Sequence, residues 1–349
     1  MKKIAGLLLI FTLITPIFAV NANKLYVKAI TEQNPAKRLQ LLEQWLQLFG
    51  HEEKHKDKLP YVYLGLYDAA RQLKFCDKII KYGPRAIEYA KSDLDKPFIY
   101  SKMADCFRQA KKCDEAVKNF EKSIEILRRI LANPPKNLRI NKYKLLLASD
   151  LRLSGFCYFN MGNVDKGMKN MDEAARLYQG FGTRGKKMAK ILIDYIVAQG
   201  KKHFKNGDYS TSAKILCPYS RKLDVYDLYI LCAISNEKLK APEEKVIELY
   251  KLAYQKKKVG AIAYKLGKYY LFKSMDPKHT KVVDTATADL AIKYLAEAAV
   301  LLENNPKQKK LYEITMKMLK PFYERRYLNA KEKPSLEKIL KDARARVGK

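Results

Sequence analysis

The feature that most constrains the fold of this chain is a spacing of large and small residues that recurs three times between residues 100 and 216. In each copy, a large residue is followed by a small residue four positions later and by a ring-bearing residue three positions further on. After a polar turn, a small residue is followed by a large residue four positions later. The copies comprise Tyr100, Ala104, Phe107, Ala116 and Phe120; Leu151, Gly155, Tyr158, Gly167 and Met171; and Ile196, Gly200, His203, Ser212 and Leu216. Both halves have helical spacing, so each half predicts one stripe of an amphipathic helix.

A longer shared string indicates that this unit arose by duplication. One helix hairpin cannot bury its own apolar face, so neighbouring hairpins must stack to form a continuous core. The sequence therefore predicts an all-helical array.

The longer shared string consists of five residue identities that recur at the same spacing 37 residues later. Asp68, Arg71, Gln72, Cys76 and Asp77 return as Asp105, Arg108, Gln109, Cys113 and Asp114.

These residues resemble the tetratricopeptide repeat, in which a large-x2-Leu-Gly-x2-Tyr helix is paired with an Ala-x3-Phe-x2-Ala helix. The resemblance implies an all-α fold, a right-handed superhelical α-solenoid of stacked antiparallel helix hairpins. It also implies a binding scaffold, because the first helices of this family line a groove that holds a protein or peptide partner. No cofactor is expected.

Weaker copies lie on either side of the three clear ones. Residues 63–86 form an earlier copy, in which Gly83 replaces the aromatic residue that is usual in the family. Residues 246–253 match the second helix of a later copy. Residues 261–270 resemble the Sel-like relatives of the family, and their partner helix at 291–299 follows a loop enlarged by about a dozen residues.

The chain is predicted to divide into four segments. Residues 1–22 form a signal peptide, and residues 23–59 form an N-terminal helical cap or degenerate repeat. Residues 60–303 hold the tetratricopeptide and Sel-like repeats. Residues 304–349 form C-terminal capping helices and a basic tail.

The first segment predicts export. Lys2 and Lys3 precede an apolar run over residues 4–20, and Val20-Asn21-Ala22 matches the small-x-small pattern that signal peptidase cleaves. A retained membrane anchor is the alternative, since the run of about 17 residues is at the lower limit for crossing a bilayer. No cysteine follows it for lipid attachment, and no later apolar run is long enough to cross a membrane. We expect a periplasmic or extracellular protein.

The formal net charge of +32 raises the alternative of an anionic partner, such as envelope polysaccharide or nucleic acid. The lysines are dispersed and mixed with acidic residues, however, which is also typical of solvated helix faces in a lysine-rich proteome. The charge leaves both interpretations open.

His51, Glu52 and His55 fit the H-E-x-x-H signature of zinc proteases. That chemistry requires two histidines one turn apart on a helix, a glutamate base and a third ligand. The lysine-rich flanks and the following Leu59-Pro60 favour a solvated linker instead. No phosphate-binding loop or nucleophile elbow is present. We therefore predict that the chain is not an enzyme and has no metal site, with a zinc hydrolase at these residues as a remote alternative.

The six cysteines occupy related places in the repeats. Cys76 and Cys113 start second helices, and Cys106 and Cys157 lie late in first helices. In stacked hairpins the start of one second helix can approach the next first helix. This placement suggests Cys76–Cys106 and Cys113–Cys157 disulfides, with Cys217–Cys232 as a third pair. Buried thiols are the alternative.

The family resemblance places the binding groove on the first helices. The predicted groove residues are basic, amide and aromatic, a mixture suited to peptide carboxylates, backbone and apolar side chains. Asp68 with Arg71 and Asp105 with Arg108 are equally well explained as ion pairs between residues one helical turn apart. The groove residues are Arg71, Gln72, Lys102, Arg108, Gln109, Arg152, Phe156, Asn160, Lys201, Phe204, Lys205, Tyr229 and Lys268.

Taken together, the residues predict an exported scaffold that mediates protein–protein interactions in the cell envelope. The alternatives are a binder of anionic polymer through a basic groove and the zinc hydrolase described above.

Overall fold

The computed structural model describes residues 21–276, 278, 281–328, 330 and 332–348. The predicted signal peptide lies outside the described residues, apart from Asn21 and Ala22. Sixteen α-helices and two short 3-10 helices (Glu53–Lys58 and Pro306–Gln308) fill most of the described chain. An isolated bridge between Met275 and Val282 is the only β pairing among those residues. The predicted all-α class is confirmed.

The helices are, in chain order, α1 (Ala22–Thr31), α2 (Pro35–Phe49), α3 (Leu59–Leu73), α4 (Cys76–Tyr89), α5 (Lys96–Gln109), α6 (Cys113–Ala132), α7 (Ile140–Asn160), α8 (Val164–Gln179), α9 (Gly182–Lys205), α10 (Tyr209–Leu223), α11 (Tyr226–Lys238), α12 (Glu243–Lys256), α13 (Gly260–Ser274), α14 (Thr285–Leu302), α15 (Lys309–Arg326) and α16 (Leu336–Val347). No helix in the described part of the chain is both long enough and apolar enough to cross a membrane.

The chain divides into two compact units, one ending at Ile193 and the other beginning at Asp194. In the first unit, α3 packs on α4, α5 on α6 and α7 on α8. In the second, α11 packs on α12 and α13 on α14, and α15 and α16 cover α14. Stacked helix hairpins are therefore present in each unit. The division at 193/194 falls inside α9, where the repeat pattern of the sequence shows no break.

The hairpins share a backbone device at the end of their first helices. A residue one or two positions after the helix adopts a left-handed conformation, with φ of 58° at Lys74, 60° at Lys111 and 77° at both Gly162 and Gly207. This conformation ends an α-helix and turns the chain back. Glycine adopts it without a steric penalty, whereas lysine occupies this position in the two units that share the 37-residue duplication.

Small residues bring helices into contact where the repeat pattern predicts them. Gly83 of α4, which replaces the usual aromatic, lies against Met103 of α5, and a Cβ at residue 83 would lie 2.3 Å from the Met103 sulfur. The methionine side chain thus fills the space that the missing aromatic ring would occupy. At Gly200, a Cβ would lie 2.5 Å from a methyl carbon of Leu216, so α9 and α10 pack closely there.

Many tyrosines connect neighbouring helices through a shared carboxylate. In each of four cases, one carboxylate accepts a hydrogen bond from a tyrosine hydroxyl and a second one from the side chain of a lysine or arginine. Such charge-assisted hydrogen bonds are stronger than neutral ones, and they satisfy the tyrosine hydroxyl near the core. The four groups are Glu43 with Tyr82 and Lys78; Glu121 with Tyr158 and Lys166; Glu237 with Tyr250 and Lys265; and Glu297 with Tyr254 and Arg346.

A buried polar network ties α5, α6 and α7 together. Asp150 of α7 is fully buried, and its carboxyl oxygens lie 2.5 Å from the Ser101 hydroxyl and 2.6 Å from the Ser123 hydroxyl. The Ser123 hydroxyl also lies 3.0 Å from the Pro97 carbonyl. Ser123 has one hydroxyl hydrogen, so it cannot donate to both acceptors. A protonated Asp150 resolves this, because the acid donates to Ser123 and Ser123 donates to Pro97.

Candidate functional site

The predicted groove residues of α3 form a self-contained cluster. The Asp68 carboxylate accepts hydrogen bonds from Arg71 at 2.5 Å, from Gln72 at 2.7 Å and from Arg38 of α2 at 2.8 Å. Burial alone would raise the pKa of Asp68, but these hydrogen bonds and the two guanidinium charges hold it below its ordinary value. Asp68 is shared by Arg38 and Arg71, so Arg71 is hydrogen-bonded within the protein while the cluster keeps one net positive charge.

The duplicated residues of α5 repeat this arrangement. Arg108 donates to Asp105 from Nε at 3.1 Å and from a terminal nitrogen at 2.7 Å. Gln109 donates to the same carboxylate at 2.9 Å, and the Lys102 ammonium lies 3.9 Å from it. The ion-pair interpretation of both clusters therefore describes what these residues do within their helices.

The exposed stripe of α7 differs from those of α3 and α5. Lys142, Leu145, Ser149, Arg152 and Phe156 follow each other at intervals of three or four residues, so they share one side of the helix. Arg152 is half-buried and has no ion pair with any described carboxylate, and its Nε is buried without a hydrogen-bond partner. Leu145 is 47% exposed. We call these five residues the α7 stripe. The predicted Asn160 lies exposed at the end of the same helix.

A cleft of about 570 Å³ connects the α7 stripe to α3. Leu64, Tyr67 and Arg71 line one side, and Lys91 and Lys142 line the other. The Tyr67 hydroxyl is buried without a hydrogen-bond partner, and burial raises the pKa of Tyr67. The cleft shows that α3, α5 and α7 present one continuous surface in the first unit. We call it the first-helix face.

In the second unit, the predicted groove residues of α9 are open to solvent or packed locally. Lys201 and Lys205 are exposed. Phe204 is half-buried, with its ring edge-on to Tyr209 at a centroid distance of 5.5 Å.

The groove assignment of Tyr229 is wrong. Tyr229 is only 4% exposed, and its hydroxyl donates to Asp224 at 3.1 Å. It lies on the side of α11 that carries Cys232 and Ala233, so it packs in the core of the second unit. The repeat register places it on the opposite side, because the sequence match of this unit covers its second helix better than its first.

Lys268 does line a cleft of about 350 Å³, together with Lys265 and Phe272. The floor of this cleft holds Glu237, which accepts hydrogen bonds from Tyr250 at 2.7 Å and from Lys265 at 2.6 Å. Burial opposes ionisation of Glu237, but these partners hold its pKa below the ordinary value. The cleft therefore contains a fixed, neutralised carboxylate.

The H-E-x-x-H residues do not form a zinc site in the described structure. His51 is exposed in a turn, and His55 lies in the 3-10 helix rather than one α-helical turn away. The His55 ring packs edge-on against Trp45 and Phe49, both at a centroid distance of 5.8 Å. No cluster of three metal-ligating side chains occurs among the residues described. His55 acts as a packing residue of the N-terminal cap.

The structure brings the three predicted cysteine pairs together in two different states. Cys76 is disulfide-bonded to Cys106, and Cys217 is bonded to Cys232. Cys113 and Cys157 are free thiols, and Cys113 is close enough to Cys157 to raise the pKa of its thiol. The predicted Cys113–Cys157 disulfide is therefore not formed, and burial of Cys157 raises its thiol pKa to about 12, which disfavours the reactive thiolate.

No family model matches the chain, and no curated protein sequence matches it. Solved structures with a related fold include a tetratricopeptide repeat protein from Parabacteroides merdae, which is 12% identical and has a TM-score of 0.33, with 84% of this chain and 98% of that chain covered. The C-terminal part of a repeat protein from Cytophaga hutchinsonii is 14% identical with a TM-score of 0.28, covering 83% and 97%. Yeast Tom70 is 13% identical with a TM-score of 0.21, covering 93% and 95%. At such low scores these structures add nothing about the function of this chain.

Proposed function

We propose that this protein is an exported scaffold that holds protein partners on its first-helix face. The observation that carries the proposal is the α7 stripe, which combines the exposed Leu145 and the half-buried Phe156 with cations that lack an internal counter-charge. Interaction surfaces typically contain apolar anchors and arginines, whereas ordinary solvated helix faces have neither in excess. Stacked hairpins supply a rigid support for such a surface.

The mechanism is contact without chemistry on the ligand. The Arg152 guanidinium carries five N–H donors in a planar fork, and it suits a carboxylate or a peptide carbonyl of a partner. Leu145 and Phe156 would cover apolar side chains of the same partner. Arg71 and Arg108 would contribute less than Arg152, because each is already hydrogen-bonded to a carboxylate of its own helix.

Export is supported by two separate features. The basic start and apolar run of residues 1–22 match a signal peptide. The Cys76–Cys106 and Cys217–Cys232 disulfides fit an oxidising compartment such as the periplasm or the extracellular space. We propose that the protein acts in the cell envelope.

Affinity capture from envelope extracts tests this proposal. The wild-type protein is compared with Arg152→Ala and Leu145→Ser, which alter the α7 stripe. Arg128→Ala on α6 and Leu48→Ser on α2 serve as matched controls, since they remove an exposed arginine and an exposed leucine elsewhere. Partners lost only in the α7 variants support the proposal. Capture of the same proteins by all five chains would refute it.

Binding of an anionic polymer is the second candidate, and the net charge of +32 favours it. The two candidates differ in salt dependence. Polymer binding through many lysines falls steeply with salt, because each neutralised polymer charge releases a counterion. A protein contact anchored by apolar side chains changes little over the same range.

A further inference from the structure

A second cleft, of about 410 Å³, lies on the other side of the α7 stripe and has mainly apolar walls. Leu145 of α7, Phe181 of the turn after α8 and Met188 of α9 form these walls. Gly185 lets α9 begin close to this turn, because a Cβ there would lie 2.0 Å from the Tyr178 carbonyl oxygen. The walls are therefore held by close backbone contact. We call this the α7–α9 cleft, and every residue that lines it belongs to the first unit.

The α7–α9 cleft also contains two hydroxyl groups. Tyr178 lines it and is 6% exposed, and Ser149 lines it from α7. Neither hydroxyl has a hydrogen-bond partner among the residues described. Neither hydroxyl is among the buried polar atoms that lack a partner, so both are open to solvent and to a ligand. The cleft thus offers two groups that can each donate and accept one hydrogen bond from a ligand.

Cations without counter-charges surround the cleft. Arg184 lines it directly, and Lys187 follows one turn later on α9. Residues 182–193 contain four basic side chains and no acidic one. Across the cleft, α7 carries Lys142 and Arg152, and its single acidic residue is the fully buried Asp150. No described carboxylate forms an ion pair with Arg184, Lys187 or Arg152 within this unit.

We propose that the α7–α9 cleft binds an acidic peptide segment of a partner protein, which inserts one or two large apolar side chains between flanking aspartates or glutamates. This inference rests on the proposed scaffold function and names the partner of the first-helix face. The cleft volume is at the low end for ligand pockets, so it receives side chains rather than a folded surface. The two hydroxyls suit the N–H and C=O groups of a peptide backbone, whereas a lipid acyl chain has no use for them.

Synthetic peptides test the ligand class. The probe is a fluorescein-labelled, capped 12-residue peptide with a Leu-Phe pair between two runs of aspartate and glutamate. One control peptide replaces Leu-Phe by Ser-Ser, and a second replaces every acidic residue by lysine. Fluorescence anisotropy at physiological salt should show binding of the probe, about tenfold weaker binding of the Ser-Ser peptide and none of the lysine peptide. Equal affinity for the probe and the Ser-Ser peptide would overturn the proposal.

Protein variants test the location. Arg184→Glu is expected to weaken probe binding about tenfold, and Lys190→Glu, the same charge change on the other side of α9, less than about twofold. Leu145→Ser should likewise weaken binding, with Leu48→Ser of α2 as its control. Thermal melting by circular dichroism establishes that each variant is folded. Equal losses for Arg184→Glu and Lys190→Glu would show a non-specific charge effect and contradict the site.

Three further outcomes separate this inference from a lipid-binding cleft and from the scaffold function. Vesicles of phosphatidylglycerol and phosphatidylcholine are added to the complex of protein and probe. If the protein sediments with the vesicles and releases the probe, the cleft binds lipid and the peptide proposal is overturned. If Arg184→Glu keeps every protein captured by the wild type while Arg152→Ala loses them, the scaffold function stands and the cleft assignment fails. If the probe binds as expected but no captured protein depends on the α7 stripe, the scaffold function fails instead.

Discussion

Asp150 provides the most quantitative test of the packing described above. Burial raises the pKa of this carboxyl to about 7, although the hydrogen bonds from Ser101 and Ser123 partly oppose the rise. The count of hydroxyl hydrogens independently requires a neutral acid between the two serines. Asp150→Asn replaces the acid by an amide of the same shape, whose NH₂ can donate to Ser123 and whose oxygen can accept from Ser101.

The sign of the expected effect follows from proton linkage. The unfolded chain loses the Asp150 proton near its ordinary pKa of 3.8, whereas the folded chain keeps it up to about pH 7. Between these values the folded state binds the extra proton, so the free energy of unfolding contributed by this group falls as the pH rises. Over the whole window the loss amounts to about 4 kcal/mol. The asparagine variant lacks this dependence.

Urea unfolding of the wild type and Asp150→Asn at pH 5, 6, 7 and 8 measures the difference directly. We expect the stability of the variant relative to the wild type to rise by about 2 kcal/mol between pH 5 and 7 and to level off by pH 8. Taking the difference removes the contributions of carboxylates such as Asp68, whose pKa is lowered. Asp150→Ala should be less stable at every pH, because it leaves both serines without their partner. A wild-type/Asp150→Asn difference that is independent of pH would refute the neutral-acid assignment.

Three other perturbations test the core and the cysteines. Reducing the two disulfides, with sequence separations of 30 and 15 residues, should lower the free energy of unfolding by about 3 kcal/mol each, measured by urea unfolding with and without dithiothreitol. Arg346→Ala leaves the Glu297 carboxylate, which is 2% exposed, without its cation; it should destabilise by about 3 kcal/mol in thermal melts, whereas Arg85→Ala at an exposed pair should have almost no effect. Alkylation of the unfolded, non-reduced protein should label Cys113 and Cys157, and label on any other cysteine would contradict the pairing.

The repeats could be predicted from the sequence because their packing is local. Small residues four positions after a large one must lie where two helices meet, and this rule places Gly200 against Leu216. The related places of Cys76 and Cys106 follow from the same register. The 37-residue duplication also predicts that Asp105 and Arg108 repeat the contact of Asp68 with Arg71, as they do.

The candidate site could be predicted from the sequence less completely than the repeats. That Arg152 lacks a counter-charge, whereas Arg108 has one, depends on how α7 faces its neighbours. The α7–α9 cleft depends on the turn at Phe181 and the close start of α9 at Gly185, neither of which carries a repeat signature. The local signal that could have indicated it is the run of basic residues without acidic ones at 182–193. Tyr229 was misassigned because the register of a weak repeat does not fix which side of α11 is buried.

The central claim is that partners bind on the first-helix face, and site-specific photo-cross-linking tests it most directly. Benzoylphenylalanine is introduced at Ser149, in the middle of the α7 stripe, or at Glu125, an exposed residue on the second helix α6. After irradiation of intact cells, mass spectrometry of the purified adducts identifies what lay within reach of each position. We predict discrete protein adducts from position 149 that are absent from position 125. Adducts of equal kind and yield at both positions, or from position 125 alone, would contradict the account.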